Sequence, residues 1–564
     1  MKEIAGIVLI FILPVLIAIP AGRYIAKVYK GEKTFLDFLK PLEKFFFRLS
    51  GIDSKKEMNW KQHLYALVTI NMIWLVYAFF ILITQSLHFW NPDLNLSMTP
   101  DLALNTAISF VVNCNLQDYS GESGATYLSQ TAVFTFLQFV SAATGMAAAV
   151  VLFNALRDKT TEKLGNFFNY FLKSITHILL PGAIVVAIIL VFCGTPQTFK
   201  GKETFTTIRG DVSHVSRGPA ASMIAIKHLG TNGGGFFGTN SAHPFENPSY
   251  FTALVELIAQ MLIPFSMVFA LGYYINRKKL SRIIFIIMTF GFLCLVIPTI
   301  AWEMKGNPVF ASLGIDQSPG NMEGKEVRFG TGLSGFWSII TTVISTGSVN
   351  GMHDSFMPLS GMMMLFAMMI NAFYGGCGVG ILNYFIFIII TAFISGLMVG
   401  RTPDFLGRKI EAKEMKIAVM IALLGPLIIL SGTALSSFLY HHSAQELSGW
   451  LNNQGSHGFS EMLYQFSSAF ANNGSGFEGL GDNTPYWNII TGFTMLIGRY
   501  LTIIGPIAIA GIMAKKKIIP ESAGTLKTDT MTFGVMTLAV IIIIAALDYL
   551  PAIVLGPITE SLSF

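Results

Sequence analysis

Long apolar runs alternate with short polar connections along almost the whole chain. A hydrocarbon layer ~30 Å thick is crossed by a helix of ~20 residues. By that measure ten runs qualify as membrane spans: 4–28, 62–88, 128–154, 168–193, 250–275, 282–302, 357–399, 416–440, 487–513 and 530–556. The seventh is too long for one crossing, and it contains GGCGVG (375–380), where a helix is expected to break or kink. Weaker apolar stretches occupy the connections after spans two, four, six and eight: 102–112, 219–228, 335–344 and 461–470. Each would rise only ~16 Å, about half the layer, which predicts a re-entrant half-helix.

Each half-helix runs into a short segment of one kind: FVVNCN (110–115), HLGTNG (228–233), TVISTG (342–347) and FANNG (470–474). All four close on a small residue, Asn115, Gly233, Gly347 or Gly474, and the position two before it is polar: Asn113, Thr231, Ser345 or Asn472. Glycine permits backbone conformations that turn carbonyls toward a common axis, and a hydroxyl or amide adds a further oxygen. The expectation is four loops converging on one axis to bind a bare monovalent cation.

The predicted order is span, half-helix, loop, span, four times over, across 62–156, 168–276, 282–400 and 416–513, with one extra span at each end. The closing loop positions are 118, 114 and 127 residues apart, as duplication would leave them. The expected fold class is therefore an all-α, polytopic membrane protein. Its divisions are an N-terminal span and cytoplasmic linker (1–61), four repeats (62–167, 168–279, 280–415, 416–515) and a C-terminal span (516–564).

Composition agrees with a membrane protein: of 564 residues 52% are hydrophobic and only 12% charged. The net charge of +5 does not call for a nucleic-acid partner, because the basic residues lie in short runs between spans. Segments 23–61, 157–173, 277–282, 401–416 and 515–527 hold 27 of the 37 Lys and Arg. The asymmetry places these segments inside and the N-terminus and all four loops outside. Cys114, Cys193, Cys294 and Cys377 have no zinc or disulfide spacing. The first run, 4–21, has no cleavage-site pattern and is long enough to remain a span.

A potassium ion sheds its water only if neutral oxygens replace it at similar density. Carbonyls, amides and hydroxyls do so, and the lack of Asp or Glu in the four loop cores argues against calcium or magnesium. In the first loop Asn115 stands where the others have glycine, exchanging backbone freedom for a side-chain oxygen.

The stretches SFVVNCNLQDYSGE, TNGGGFFGTNSAHPFENPSYF, GSVNGMHDSFMPLSGM, VGRTPDFLGRKIEAKEMK and NNGSGFEGLGDNTPYWN closely resemble the potassium-binding A subunit of the bacterial Kdp P-type potassium-transporting ATPases. The resemblance covers nearly the whole chain. It implies a potassium-channel-derived fold related to the Trk and Ktr transporters, and K+ as the ion carried. It also implies a bacterial cell-membrane location and a complex with a P-type B subunit, a C subunit and a small single-span subunit. Carried over, the filter comprises Asn113 and Asn115, Thr231 and Gly233, Ser345 and Gly347, and Asn472 and Gly474, with Gln117 behind the first loop; Cys114 and Thr346 receive no role. Neither GxxxxGK[ST] nor the DKTGT motif of P-type pumps is present; Asp158 opens DKTTE, read as a solvated cytoplasmic turn. ATP hydrolysis would thus belong to a partner chain.

Arg499, in the ninth span, either acts opposite the filter on back-flow or a gate, or pairs structurally with an acid. Glu256 and Asp548 are the candidate intramembrane acids. In GGCGVG, Gly376 and Gly378 are candidates for an ion path or gate, with a packing kink as the plain alternative. Met362 to Met364, Met368 and Met369 read as core filler, and His441 and His442 as interfacial. Trp60, Trp74, Trp90 and Trp487 fit an aromatic belt. The segment 401–416 reads as a basic amphipathic helix on the membrane or a contact with the ATPase partner. The runner-up function is a stand-alone Trk/Ktr-type potassium channel or symporter. A membrane-embedded enzyme would need clustered acid, base or metal groups that the sequence does not bring together, and a pure scaffold would not need four polar re-entrant loops.

Overall fold

The structure, a computed structural model, describes residues 2–157, 160–443, 445–519 and 527–563. Asp158, which opens DKTTE, lies outside the described residues. Among the described residues ten helices are long and apolar enough to cross a membrane: Glu3–Lys30, Trp60–Leu87, Ser129–Arg157, Phe167–Phe192, Tyr250–Tyr274, Lys278–Ser312, Val379–Met398, Ala412–His442, Pro485–Ala514 and Met531–Leu562. Several start at side-chain caps that the sequence supplies. Asn59 and Gln62 bond reciprocally at the start of the second span, and Ser249 and Thr252 do so at the fifth.

The four half-helices are present as Pro100–Val111, Ala220–Leu229, Gly330–Val343 and Gly455–Ala471. The fourth is longer than its apolar core, 17 residues. Its first turn, Gly-Ser-His-Gly, is a poor helix former that tertiary bonds hold in place: His457 faces Asp354 and Glu560. The long seventh run breaks where GGCGVG is approached. One helix, Pro358–Ile370, stops at Asn371 in the left-handed region (φ 42°), and the next begins at Val379.

The two extra spans flank the fourfold array. The first lies along the fifth, Tyr250–Tyr274, and the approach is close because Gly22 has no side chain. A Cβ there would stand 2.7 Å from Phe269 Cβ and from the Ser266 carbonyl oxygen. The last span packs on the sixth span and both halves of the broken seventh.

Some expectations change. Segment 401–416 is not one amphipathic helix: Asp404–Phe405 and Arg408–Lys409 form a hairpin, and the eighth span starts at Ala412. Leu406 (φ 50°) and Gly407 (φ 76°) both take the left-handed turn that a two-residue hairpin requires, and Phe405 and Arg408 are buried. Trp487 does not belong to an interfacial belt. It is fully buried against Trp450, Tyr486 and Phe466. Trp90 is half exposed, while His441 and His442 lie exposed at the end of their span. Two elements had no hydropathy signal: a hairpin pairing Glu203–Thr206 with Val212–Val215 before the second half-helix, and a short helix, Lys40–Ser50, with exposed Phe45, Phe46 and Leu49.

Candidate cation-binding site

At the end of every half-helix the backbone does the same unusual thing. Asn113 (φ 63°), Thr231 (50°), Ser345 (58°) and Asn472 (51°) are left-handed, and so are Asn115 (60°), Gly233 (91°), Gly347 (81°) and Gly474 (99°) two residues later. The residues between them, Cys114, Asn232, Thr346 and Asn473, have negative φ. The repeated pairs of left-handed residues give the four loop ends one common backbone path. Left-handed non-glycine residues are uncommon, and a β-branched one such as Thr231 is an outlier. Five such residues at matching places in four loops are therefore held there by their surroundings.

The loops meet in a cyclic order. A Cβ on Gly233 would stand 1.9 Å from the Thr346 carbonyl oxygen, and one on Gly347 would stand 2.1 Å from that of Asn473. On Gly474 it would stand 2.0 Å from that of Cys114. Loop two thus abuts loop three, three abuts four and four abuts one, each glycine lying where no side chain fits. The last junction, one to two, is made differently: Asn115 keeps its Cβ, and the facing residue, Gly234, is the glycine.

The polar side chains of the four loop ends bond to a neighbouring loop, to a span or to the broken seventh helix. Asn113 Nδ2 donates to the Thr231 carbonyl (2.7 Å), and its Oδ1 accepts from Asn232 (2.6 Å) and Ser141 (2.8 Å). The Asn115 amide oxygen accepts from Gln138 (3.0 Å). The Thr231 hydroxyl accepts from the Cys377 N–H (2.9 Å), and Ser345 donates to the Ala471 carbonyl (2.7 Å). Asn472 Nδ2 donates to Met495 O (3.0 Å). Gln117 lies behind the first loop and clamps the second, donating to Gly235 O (3.2 Å) and accepting from Gly235 N (2.8 Å).

Further supports were not singled out in the sequence. Asn240 donates to the Gly233 carbonyl (2.8 Å) and accepts from the buried Lys227 ammonium (2.6 Å), which also pairs with Glu246. Asn473 donates to Thr341 O (2.8 Å). Gln138 and Ser141 were legible as polar residues one turn apart in an otherwise apolar span; Lys227 and Glu246 gave no such signal. Glu256 meets His228 (3.0 Å), both fully buried. Asp548 lies outside this cluster, partly exposed.

Beneath the loop ends a narrow cavity is lined by Asn113, Ser345 and Asn472 together with Asn371, Gly376, Val379 and Arg499. The broken seventh helix therefore sits directly under the loops, with Gly376 beside the Thr231 hydroxyl and Gly378 against the Gly145 carbonyl. Arg499 donates to the Ser141 carbonyl (3.1 Å). Among the described residues no acid forms an ion pair with it.

Four half-helices and four alternating-hand strands, arranged in one ring within one chain, define the class of channel-like membrane proteins with four unequal quadrants. A sequence profile described as potassium-transporting ATPase A subunit matches residues 8–562, and the chain belongs to that family. Its relatives include proteins of Flavobacterium johnsoniae (64% identical), Phocaeicola vulgatus (55%) and Geobacillus kaustophilus (45%). The alignments cover 98–100% of this chain and 98–99% of each relative. Each relative bears the name potassium-transporting ATPase potassium-binding subunit. The fold is similar to that of the potassium transporter TrkH from Vibrio parahaemolyticus. The TM-score is 0.52 at 14% identity, over 88% of this chain and 96% of that one.

Proposed function

We propose that the chain is the potassium-binding and translocating subunit of an ATP-driven uptake complex. It takes K+ from outside the bacterial cell membrane into the ring formed by Asn113, Asn115, Thr231, Gly233, Ser345, Gly347, Asn472 and Gly474. The observation that carries this reading is the paired left-handed backbone at four equivalent loop ends, closed into one ring by glycine contacts. Oxygens of uncharged peptide groups favour a monovalent ion that must leave again, whereas carboxylates would hold a divalent one. The carbonyl ends of four half-helices add a favourable potential for a cation. Each repeat forms one quadrant, with divisions near 62–167, 168–279, 280–415 and 416–515, and the Lys and Arg distribution supports an outer N-terminus.

Below the ring, the Asn371–Gly378 break and the guanidinium of Arg499 form a gate: a buried positive charge raises the energy of a cation entering the cavity. Gln117 is a brace for the ring and not a ligand. The energy comes from a partner P-type ATPase B subunit, with C and small single-span subunits completing the assembly among membrane lipids.

Uptake of 86Rb+ into cells lacking other potassium systems tests the reading. Gly233→Asp and Gly347→Asp are expected to lower apparent affinity at least about tenfold and to weaken discrimination against sodium. Unchanged affinity and selectivity in both variants refute it. Uptake that persists when the partner ATPase is deleted would instead favour a self-sufficient transporter.

A further inference from the structure

Where the third and fourth quadrants adjoin, a cluster of ionisable groups takes no part in the ring. Asp354 lies in the turn His353–Ser355 that follows the third loop. His457 and Glu461 are one turn apart at the start of the fourth half-helix, and Glu560 lies in the last helical turn, Thr559–Leu562. The His457 ring is held at both nitrogens: Nδ1 lies 2.7 Å from Glu560 Oε1, and Nε2 lies 2.9 Å from Asp354 Oδ1. Glu461 is fully buried. Its Oε1 accepts from the backbone N–H (3.2 Å) and Nδ2 (3.1 Å) of Asn453, and its Oε2 has no hydrogen-bond partner. One ligand atom from each of Asp354, His457 and Glu461 lies within 4.8 Å of the other two.

A protonated His457 shared between Asp354 and Glu560 accounts for the two short contacts but leaves the rest unexplained. Two carboxylates are pressed together, since a Cβ on Gly479 would stand 2.3 Å from Glu461 Oε1 and 2.8 Å from Asp354 Oδ2. An acid this buried with an unpaired oxygen beside a second acid either holds a proton or is met by a cation, and the cation is the alternative that engages both carboxylates and the imidazole together. A divalent cation resolves every point at once. Glu560 accepts the Nδ1–H, fixing the tautomer that leaves Nε2 free as a ligand, the usual way a metal-binding imidazole is oriented. The His457 and Glu461 spacing of four puts both ligands on one helix face. Metal–ligand bonds of ~2.0–2.2 Å require donors ~3–3.5 Å apart, within small adjustments of the cluster. An imidazole among carboxylates favours a zinc-type ion over calcium or magnesium, which prefer oxygen alone.

We propose that Asp354, His457 and Glu461 bind a divalent transition-metal ion of the zinc type, with Glu560 orienting His457, and that this ion staples the third quadrant, the fourth half-helix and the C-terminal helix together. The site is independent of the transported ion.

The test uses the full-length protein, isolated in detergent, stripped with EDTA, exposed to zinc and gel-filtered. Metal is counted by mass spectrometry and stability followed by thermal melting. About one zinc per chain and a higher Tm are expected. His457→Asn and Glu461→Gln should each lower zinc affinity at least about tenfold and abolish the Tm shift, while Glu560→Gln should weaken binding about tenfold. Glu461→Gln keeps the Asn453 contact at Oε1, so a folded variant is available should His457→Asn not fold. Wild-type protein that retains no more zinc than Glu461→Gln overturns the proposal. Equal retention of magnesium or calcium overturns the assignment to a zinc-type ion.

Discussion

The junction between the fourth and first loops and the junction between the first and second solve one packing problem in opposite ways. In the former, Gly474 lies against the Cys114 carbonyl, 2.0 Å from where its Cβ would be, and takes φ 99°. In the latter, Asn115 retains a side chain at φ 60°, and the space comes from Gly234 across the contact, where a Cβ would meet Asn115 Cβ at 2.7 Å. A glycine is needed once per junction, but the side that carries it is free. The asparagine then serves as a brace, its amide oxygen held by Gln138. Departure from strict fourfold repetition is thus local repacking around a constant backbone, and the ring does not depend on four identical sequences.

The sharpest way to break this comparison is to add a methyl group on each side. Gly474→Ala meets a backbone carbonyl and a φ that L-residues avoid, so neither contact nor strain can relax cheaply. We expect a loss of 86Rb+ binding of about 100-fold or more, measured on the purified protein. Gly234→Ala meets the Asn115 Cβ at 2.7 Å and the Phe110 ring at 3.0 Å, a smaller overlap than at Gly474 and one without the φ penalty. A loss of about tenfold is expected there. Equal tolerance of both substitutions would mean that the loops do not touch as described.

A second test exchanges the glycine across the first junction. Asn115→Gly combined with Gly234→Ala gives loop one the glycine that the other three loops carry. The double variant should recover most of the binding lost in Gly234→Ala, leaving a deficit of a few fold from the missing Gln138 bond. Strict additivity of the two single effects in a double-mutant cycle would refute direct coupling at this contact.

Much of this was legible in the chain because hydropathy reports burial in lipid. The ten spans, the four half-helices and the break at GGCGVG all follow from run length, and the eight loop residues follow from one repeated pattern of polar and small positions. What the pattern could not show was the direction of the side chains. Asn113 and Ser345 read as site residues because they carry oxygen, and the structure adds that their side chains bond to the neighbouring loops. The partners of those braces, Asn232 and Ala471, are 119 and 126 residues away in sequence, beyond any local signal. The hairpin at 404–409 was missed for the converse reason: its charges have helical spacing, while Leu406 and Gly407 supply the turn. Trp487 reads as interfacial from its position at a span end, but that end is covered by the loop bearing Trp450.

The same two junctions differ once more, a few residues beyond the ring, and here the expected effect is smallest. The first junction is closed by a neutral clamp, Gln117 on Gly235. The fourth carries two acids near it: burial and the neighbouring Asp482 push the buried Asp118 carboxyl well above its ordinary value of 3.8, and burial raises Asp482 to about 6. A carboxyl raised in the folded state holds a proton that the unfolded chain releases at lower pH. Its contribution is therefore full below the ordinary carboxylate range and is lost as pH rises through the raised folded values, about 6 for Asp482. Melting followed from pH 5 to pH 8 should show the wild-type Tm falling by about 1–3 °C more than that of Asp118→Asn, whose amide carries no proton to lose. Gln117→Glu moves an acid to the first junction and should make its stability pH-dependent in the same sense. Parallel Tm profiles for wild type and Asp118→Asn would remove the acid pair from this account and leave the glycine contacts as the sole difference between the two junctions.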